Sequence, residues 1–374
     1  VLFRSALEAK KGNDMKRFFA LMLAVAMVMM MFVGCSKKQE NSSVAGGSSQ
    51  ASEPGNSAVD KSKGYGAYKL AAIYGSITGD YWGIVYNGCQ AALDELKTAY
   101  GVDGYCMAPA NSNDYTLQMD LIETAVLKKV DGIVLSVNNA DSIGAFITDF
   151  FTEDNMTPIL LIDKSCNTTS KAIIGQEMSM TYEMGKDCGK LAAEVMGSKG
   201  NYVTLGISPE NQNWAERSTG AIDYLKENAP EMVHIPGENP YWMAQVTEDQ
   251  QLAYVQDTIT SNPGPICFVT ATEGYTNIAV AAISEVSAER QAEIQVIGFD
   301  FSKTGYNLIQ SGAMYGAVGQ NPYLMGHDSI YHMCDYLKTG EIAEFTAVPY
   351  TVVTKNNLED PSVVEYLKTM GIVA

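Results

Sequence analysis

The sequence has little positive charge, little histidine and no closely paired cysteines. Its 374 residues carry 25 Lys and Arg against 43 Asp and Glu, a net charge of −18. Phosphate binding needs a basic surface, so a nucleic-acid partner is excluded. The polybasic route to a membrane surface goes with it. The only histidines are His234, His327 and His332. The last two are five apart, which does not stack two imidazoles on one helix face as a spacing of four would, and no metal site is expected. No C-x-x-C pair occurs. Cys89, Cys106, Cys166, Cys188, Cys267 and Cys334 lie in or beside apolar segments. They read as small buried thiols, with disulfides as the alternative in an oxidising compartment. No G-x-x-x-x-G-K-S/T phosphate loop is present, no G-x-G-x-x-G follows the first strand, and Gly206-Ile207-Ser208-Pro209 is not a nucleophile elbow. No cofactor and no enzymatic activity are expected. Disorder is excluded too, because 46% of the residues are hydrophobic and only 18% charged.

What is present begins with a leader. Met15-Lys16-Arg17 precedes an uncharged run from Phe18 to Gly34, seventeen residues long. That is short of the ~20 residues that span a bilayer comfortably. It ends at Phe32-Val33-Gly34-Cys35, which resembles a bacterial lipoprotein signal over 15–34 with Cys35 as the lipidated residue. The alternative is an uncleaved anchor, and both readings put the rest of the chain outside the cytoplasm. Residues 1–14 stand before a good start Met and are expected to be an extension foreign to the protein. Residues 35–66 are rich in Ser, Gly, Asn, Lys and Gln, with no aromatic before Tyr65. They read as a flexible tether. Without residues 1–34, which hold five bases and two acids, the net charge falls from −18 to −21.

From Lys69 onward short aliphatic runs alternate with amphipathic stretches. The runs are Leu70–Tyr74, Gly132–Val137, Pro158–Ile162, Tyr202–Leu205, Ile266–Val269, Ile294–Phe299 and Tyr315–Val318. Runs this short and apolar fit strands buried on both faces of a parallel sheet. Between them, Ile84, Val85, Cys89, Ala92, Leu93, Leu96 and Tyr100 share one helical face, with Gly101 as C-cap. The alternation predicts a doubly wound α/β architecture, and its length suits two lobes.

In open parallel sheets ligands sit beyond the carboxyl ends of the strands. The residues there are Thr78-Gly79-Asp80-Tyr81-Trp82, Asn138-Asn139, Asp163-Lys164, Glu210–Arg217, Thr272-Glu273, Asp300 and Gln320. No nucleophile–base pair stands out among them. Several motifs recur in a telling order. They are Tyr81-Trp82 with Gly88, Val130-Asp131-Gly132-Ile133-Val134-Leu135, Thr157 to Lys164, Glu216-Arg217-Ser218-Thr219-Gly220 and Val296-Ile297-Gly298-Phe299-Asp300, with Gln320 after them. Together they resemble the periplasmic sugar-binding protein family of the ribose-binding type, over about residues 69–354.

That resemblance implies a type I periplasmic binding protein fold, two doubly wound lobes joined by a three-segment hinge. The N-terminal lobe would be 67–176 plus 321–348, and the C-terminal lobe 177–320 plus 349–374. A monomer would close by hinge motion on a solute and deliver it to an ABC permease. Repressor relatives need an N-terminal DNA-binding helix-turn-helix, and this chain has a leader there.

A sugar or polyol ligand agrees with the chemistry of the set. Tyr81 and Trp82 would cover one sugar face, and Trp242 or Phe299 the other. Asp163, Arg217, Asp300 and Gln320 would bind hydroxyls, with Asn138, Lys164 and Thr272 beside them. Counting Glu273, the strand ends sum to −1, which is no trap for a phosphate or dicarboxylate. Departures from the ribose pattern tell against ribose itself. Thr272-Glu273 stands for Asn-Asp, Lys164 for Arg, Val137 for Asn and Gly79 for Asn. Another pentose, a hexose, a sugar alcohol, a nucleoside and a furanosyl signal remain open. So do presentation of the ligand to a membrane sensor or chemoreceptor and, more distantly, an extracytoplasmic sugar-modifying enzyme.

Overall fold

Short apolar strands capped by polar turns build two parallel sheets. The computed structural model describes residues 64–300 and 302–374. The expected extension at 1–14, the expected signal at 15–34, Cys35 and nearly all of the expected tether at 35–66 therefore lie outside the described residues.

The first half runs β1 (Lys69–Ile73), α1 (Asp80–Tyr100), β2 (Asp103–Met107), α2 (Tyr115–Leu127), β3 (Gly132–Leu135), α3 (Ala140–Phe150), β4 (Ile159–Ile162) and β5 (Ile173–Ser179). The chain then crosses to α4 (Thr181–Met196), β6 (Gly200–Gly206), α5 (Gln212–Asn228), β7 (Met232–His234), β8 (Tyr241–Trp242), α6 (Glu248–Ser261), β9 (Ile266–Thr270), α7 (Glu273–Ser284), α8 (Ala288–Gln291), β10 (Ile294–Phe299), α9 (Lys303–Ser311) and β11 (Gly316–Gly319). It returns through α10 (Pro322–Thr339) and β12 (Phe345–Val348), and crosses again to β13 (Thr351–Thr354) and α11 (Pro361–Thr369).

The first sheet has the order β2-β1-β3-β4-β5-β12, and the second β7-β6-β9-β10-β11-β13, with β8 beside the end of β6. All pairings are parallel except β11 with β13. The crossings fall at Met180, at Gln320-Asn321 and at Pro349-Tyr350. The expected division at 176/177 lies inside β5, whose pairing with β12 runs on to Ser179.

Helices cover both faces of each sheet, as wholly buried strands such as β3 and β4 require. In the first half α1 and α10 pack on one face and α2 and α3 on the other. In the second, α4 and α5 face α6, α7, α9 and α11 across the sheet. Gly220 explains the glycine of the Glu216–Gly220 motif. A Cβ there would collide with the Tyr182 carbonyl, so glycine lets α5 press against α4. Gly326 does the same for α10 against the Val85 carbonyl of α1. Gly101 ends α1 in the left-handed conformation, φ 76°. Among the described residues no helix is long and apolar enough to cross a membrane.

Candidate functional site

The carboxyl ends of the two sheets face each other. Among the described residues a hydrogen bond joins them directly, from Asn213 Nδ2 on α5 to the Asp163 carbonyl beyond β4, 3.0 Å. Asn213 reaches across because Asn211 caps α5, accepting from Trp214 N, and so sets the helix N-terminus against the opposite lobe.

In the second lobe Asp300 is the hub. It follows β10 with a left-handed backbone, φ 57°. Arg217 Nη1 donates to Asp300 Oδ2 at 3.2 Å and to the Ala271 carbonyl at 3.2 Å. Gln320 donates to the same carboxylate from its backbone N (3.2 Å) and from Nε2 (3.2 and 3.1 Å). Burial pushes the Asp300 carboxyl up; the Arg217 charge and the Gln320 donors oppose this, and Asp163 adds to it. Phe299 is fully buried, and the Arg217 guanidinium lies over its ring at 4.4 Å. Its ring thus backs the arginine and is no open face for a sugar.

In the first lobe Tyr81 OH donates to Asp163 Oδ1 at 3.0 Å, and Lys164 Nζ stands 3.9 Å from Oδ2. Asp163 is left-handed as well, φ 66°. Burial raises the Tyr81 phenol well above its ordinary value; Asp163 and Asp300 raise it further, and Arg217 opposes. Trp82 stacks on Tyr74 (6.2 Å, 25° between planes), packs over Gly75 and has Lys164 Nζ 5.9 Å from its ring. It also stands edge-on to the Tyr81 ring, 5.2 Å away at 88°.

Asn138 follows β3. Its Nδ2 donates to the Gly75 carbonyl and its N–H to Gln118 Oε1, both 2.9 Å. Its Oδ1 is buried with no hydrogen-bond partner among the described residues, and so is Arg217 Nε. Thr272 caps α7, its hydroxyl accepting from Tyr275 N at 3.3 Å. Trp242 sits on β8 at the end of β6, against Gly206. Glu273 is turned aside: its Oε1 accepts from Ser302 Oγ at 2.7 Å and Gly305 N at 3.2 Å, capping α9. That leaves Asp163 with Lys164 and Asp300 with Arg217, a balanced set. Sequence reasoning held Asn213 only within the Glu210–Arg217 stretch and missed its bond to Asp163 and the consumption of Glu273, because neither contact partner is near in sequence. Among the described residues no cluster of three or more His, Cys, Asp or Glu fits a metal ion.

The sequence matches the periplasmic binding protein domain over residues 70–342, well over half its length. The chain belongs to the periplasmic binding protein family. The D-apiose import binding protein of Actinobacillus succinogenes is 26% identical over 256 residues, 67% of this chain and 78% of that one. The xylitol-binding protein of Mycolicibacterium smegmatis is 21% identical over 210 residues, 56% of this chain and 57% of that one. A solved periplasmic ribose ABC transporter structure from Conexibacter woesei superposes with a TM-score of 0.67 at 18% identity, covering 81% of this chain and 95% of its own. That last likeness shows the fold. Two lobes, a cleft between strand ends and an extracytoplasmic location are properties of a periplasmic binding protein, and binding, not catalysis, is the family's work.

Proposed function

We propose that this periplasmic binding protein traps a small neutral sugar or polyol between its lobes and delivers it to an ABC permease. One observation carries the reading. Asp163 with Lys164 and Asp300 with Arg217 balance in charge, and among the described residues a buried acceptor at the end of β3, Asn138 Oδ1, and a buried donor on the arginine that holds Asp300, Arg217 Nε, have no hydrogen-bond partner. A hydroxyl group both donates and accepts, so a polyol satisfies both, whereas a charged solute would unbalance the pairs. Asp163, Asp300, Asn138, Arg217, Lys164 and Gln320 would bind hydroxyls, with Tyr81, Trp82 and Trp242 walling the ligand and Thr272 at the rim. The names of the relatives, which concern D-apiose and xylitol, support the same class. The protein would act as a monomer held at the outer face of the membrane by a lipid on Cys35.

The test is a melting screen of the full chain, stripped of co-purified solute, against monosaccharides, polyols, nucleosides and amino acids. A ligand at 100 times its Kd adds about 2.7 kcal/mol, a shift of a few degrees. A sugar or polyol hit is expected. A response only to nucleosides or amino acids overturns the solute class. Release of a Cys35→Ser variant from the membrane fraction is the expected result for the anchor, and its retention would refute it.

A further inference from the structure

The middle crossing changes lobes within one peptide. Gln320 belongs to the second lobe through three of its polar groups. Its backbone N (3.2 Å) and its Nε2 (3.2 and 3.1 Å) donate to the Asp300 carboxylate. Its carbonyl accepts from Tyr366 OH on α11 at 2.8 Å, and both residues are buried. The next residue already belongs to the first lobe. Asn321 Oδ1 accepts from Leu324 N and the Asn321 carbonyl from Met325 N, both at 3.0 Å, to open α10. Pro322 follows with its fixed φ.

Tyr366 is built as a firm post. It shares one core cluster with Val296 of β10, Ala317 of β11 and Val363 and Leu367 of its own helix. Burial pushes its phenol up and the charge of Asp300 adds to this, so the hydroxyl stays protonated and remains a donor. Without the bond from Tyr366, the peptide beyond the Gln320 Cα is held from the first lobe alone. Motion of that lobe then passes into Gln320 and disturbs the aim of its donors at Asp300. Polar groups that are already in place bind more tightly than groups that binding must first order.

We propose that Tyr366 is a positioning residue for the binding site, holding Gln320 on Asp300 at the point where the chain leaves for the other lobe. The inference rests on the reading that Asp300 and Gln320 meet a sugar or polyol. Tyr366 itself stays behind Gln320 and acts through it.

The experiment compares wild type, Tyr366→Phe, Gln320→Ala and the double variant, all as the full chain. Phenylalanine keeps the buried ring and removes only the donor, and melting of each ligand-free protein confirms that it is folded. Amide exchange, read residue by residue without ligand, judges the positioning alone. In Tyr366→Phe the Gln320 amide should exchange about fivefold faster or more, while Ala317 and Val318 of β11 keep their protection. Calorimetry with D-apiose, D-ribose and xylitol judges the link to binding. The strongest wild-type binder among them should lose about fivefold in Tyr366→Phe, the worth of one neutral hydrogen bond. In the Gln320→Ala background the same change should cost less than twofold, because two of the three bonds from Gln320 to Asp300 come from its side chain. Unchanged exchange at Gln320, equal loss of protection along β11, or additive losses of affinity would each overturn the proposal, since a merely structural tyrosine gives those results. If wild type binds none of the three probes, the sugar reading falls, and faster exchange confined to Gln320 still upholds the positioning role.

Discussion

Asp163 and Asp300 hold equivalent stations in the two lobes. Each follows the fourth strand of its sheet's order, β4 or β10, and each has a left-handed backbone, φ 66° and 57°. Such a conformation costs a non-glycine residue on the order of 1–3 kcal/mol and persists where the surroundings over-determine it. Here it turns the two carboxylates toward one cleft, where one meets Tyr81 and the other Arg217 and Gln320.

Backbone and side-chain roles at these positions can be separated. Asp300→Gly removes the carboxylate and relieves the backbone, while Asp300→Ala removes the carboxylate and keeps the strain. Both variants should lose binding by about tenfold or more in calorimetry, since Arg217 and Gln320 lose their shared acceptor. The alanine variant should melt below the glycine variant. Wild-type affinity in either would remove Asp300 from the site.

The Asn213 bond to the Asp163 carbonyl links the two cleft walls directly. Asn213→Ala should shift the unliganded protein toward a more open form and weaken every ligand alike, by a few-fold for a neutral hydrogen bond of about 1 kcal/mol. Small-angle scattering of the free protein and calorimetry check the two halves of this expectation. A change in ligand ranking would instead make Asn213 a ligand contact.

Most of this architecture was legible in the chain. The seven apolar runs fall on β1, β3, β4, β6, β9, β10 and β11, because strands buried on both faces must be apolar throughout. The strands left unread were β2, β5, β12 and β13 and the short β7 and β8. β2 and β12 are sheet edges with exposed or half-exposed residues. β5 carries Gln176 and Glu177, and Glu177 is tolerated only because His332, 155 residues away, bonds to it. The strand-end polar residues were legible for the same topological reason. Their directions were not. That Phe299 lies under Arg217, that Trp82 stacks on Tyr74 and that Glu273 turns to α9 depend on packing between elements distant in sequence.

The thiols should be inert in the native state. Among the described residues all six cysteines are free, and Cys89, Cys188, Cys267 and Cys334 are buried. Burial pushes the half-buried Cys166 thiol up to about 11 and that of Cys334 up to about 12, so little thiolate exists at neutral pH. A disulfide reagent should therefore titrate at most Cys106 and Cys166 of these six quickly, and all six after unfolding. Fast reaction of four or more would contradict the packing.

Glu177 and His332 should make the protein lose stability as pH rises. Glu177, only 2% exposed, accepts from His332 Nδ1 at 2.7 Å beside the first and third crossings. Burial would lower the His332 pKa, but the bond and charge of Glu177, with Asp328 and Asp335, win and raise it above 6.5. Burial raises Glu177 above 4.5, against the His332 bond and with help from Asp328. Both groups therefore hold their protons more tightly folded than unfolded. The stabilisation from His332 is complete below its unfolded value and is lost as pH climbs through the raised one; the Glu177 contribution has the same sign at lower pH. Melting temperature should fall as pH rises above 6.5 in wild type. It should fall less in Glu177→Gln/His332→Gln, which removes both titrations. His332→Ala alone strands a buried carboxylate and should cost about 3–5 kcal/mol near neutral pH. A melting curve for that variant that matches wild type would mean the carboxylate reaches water in solution.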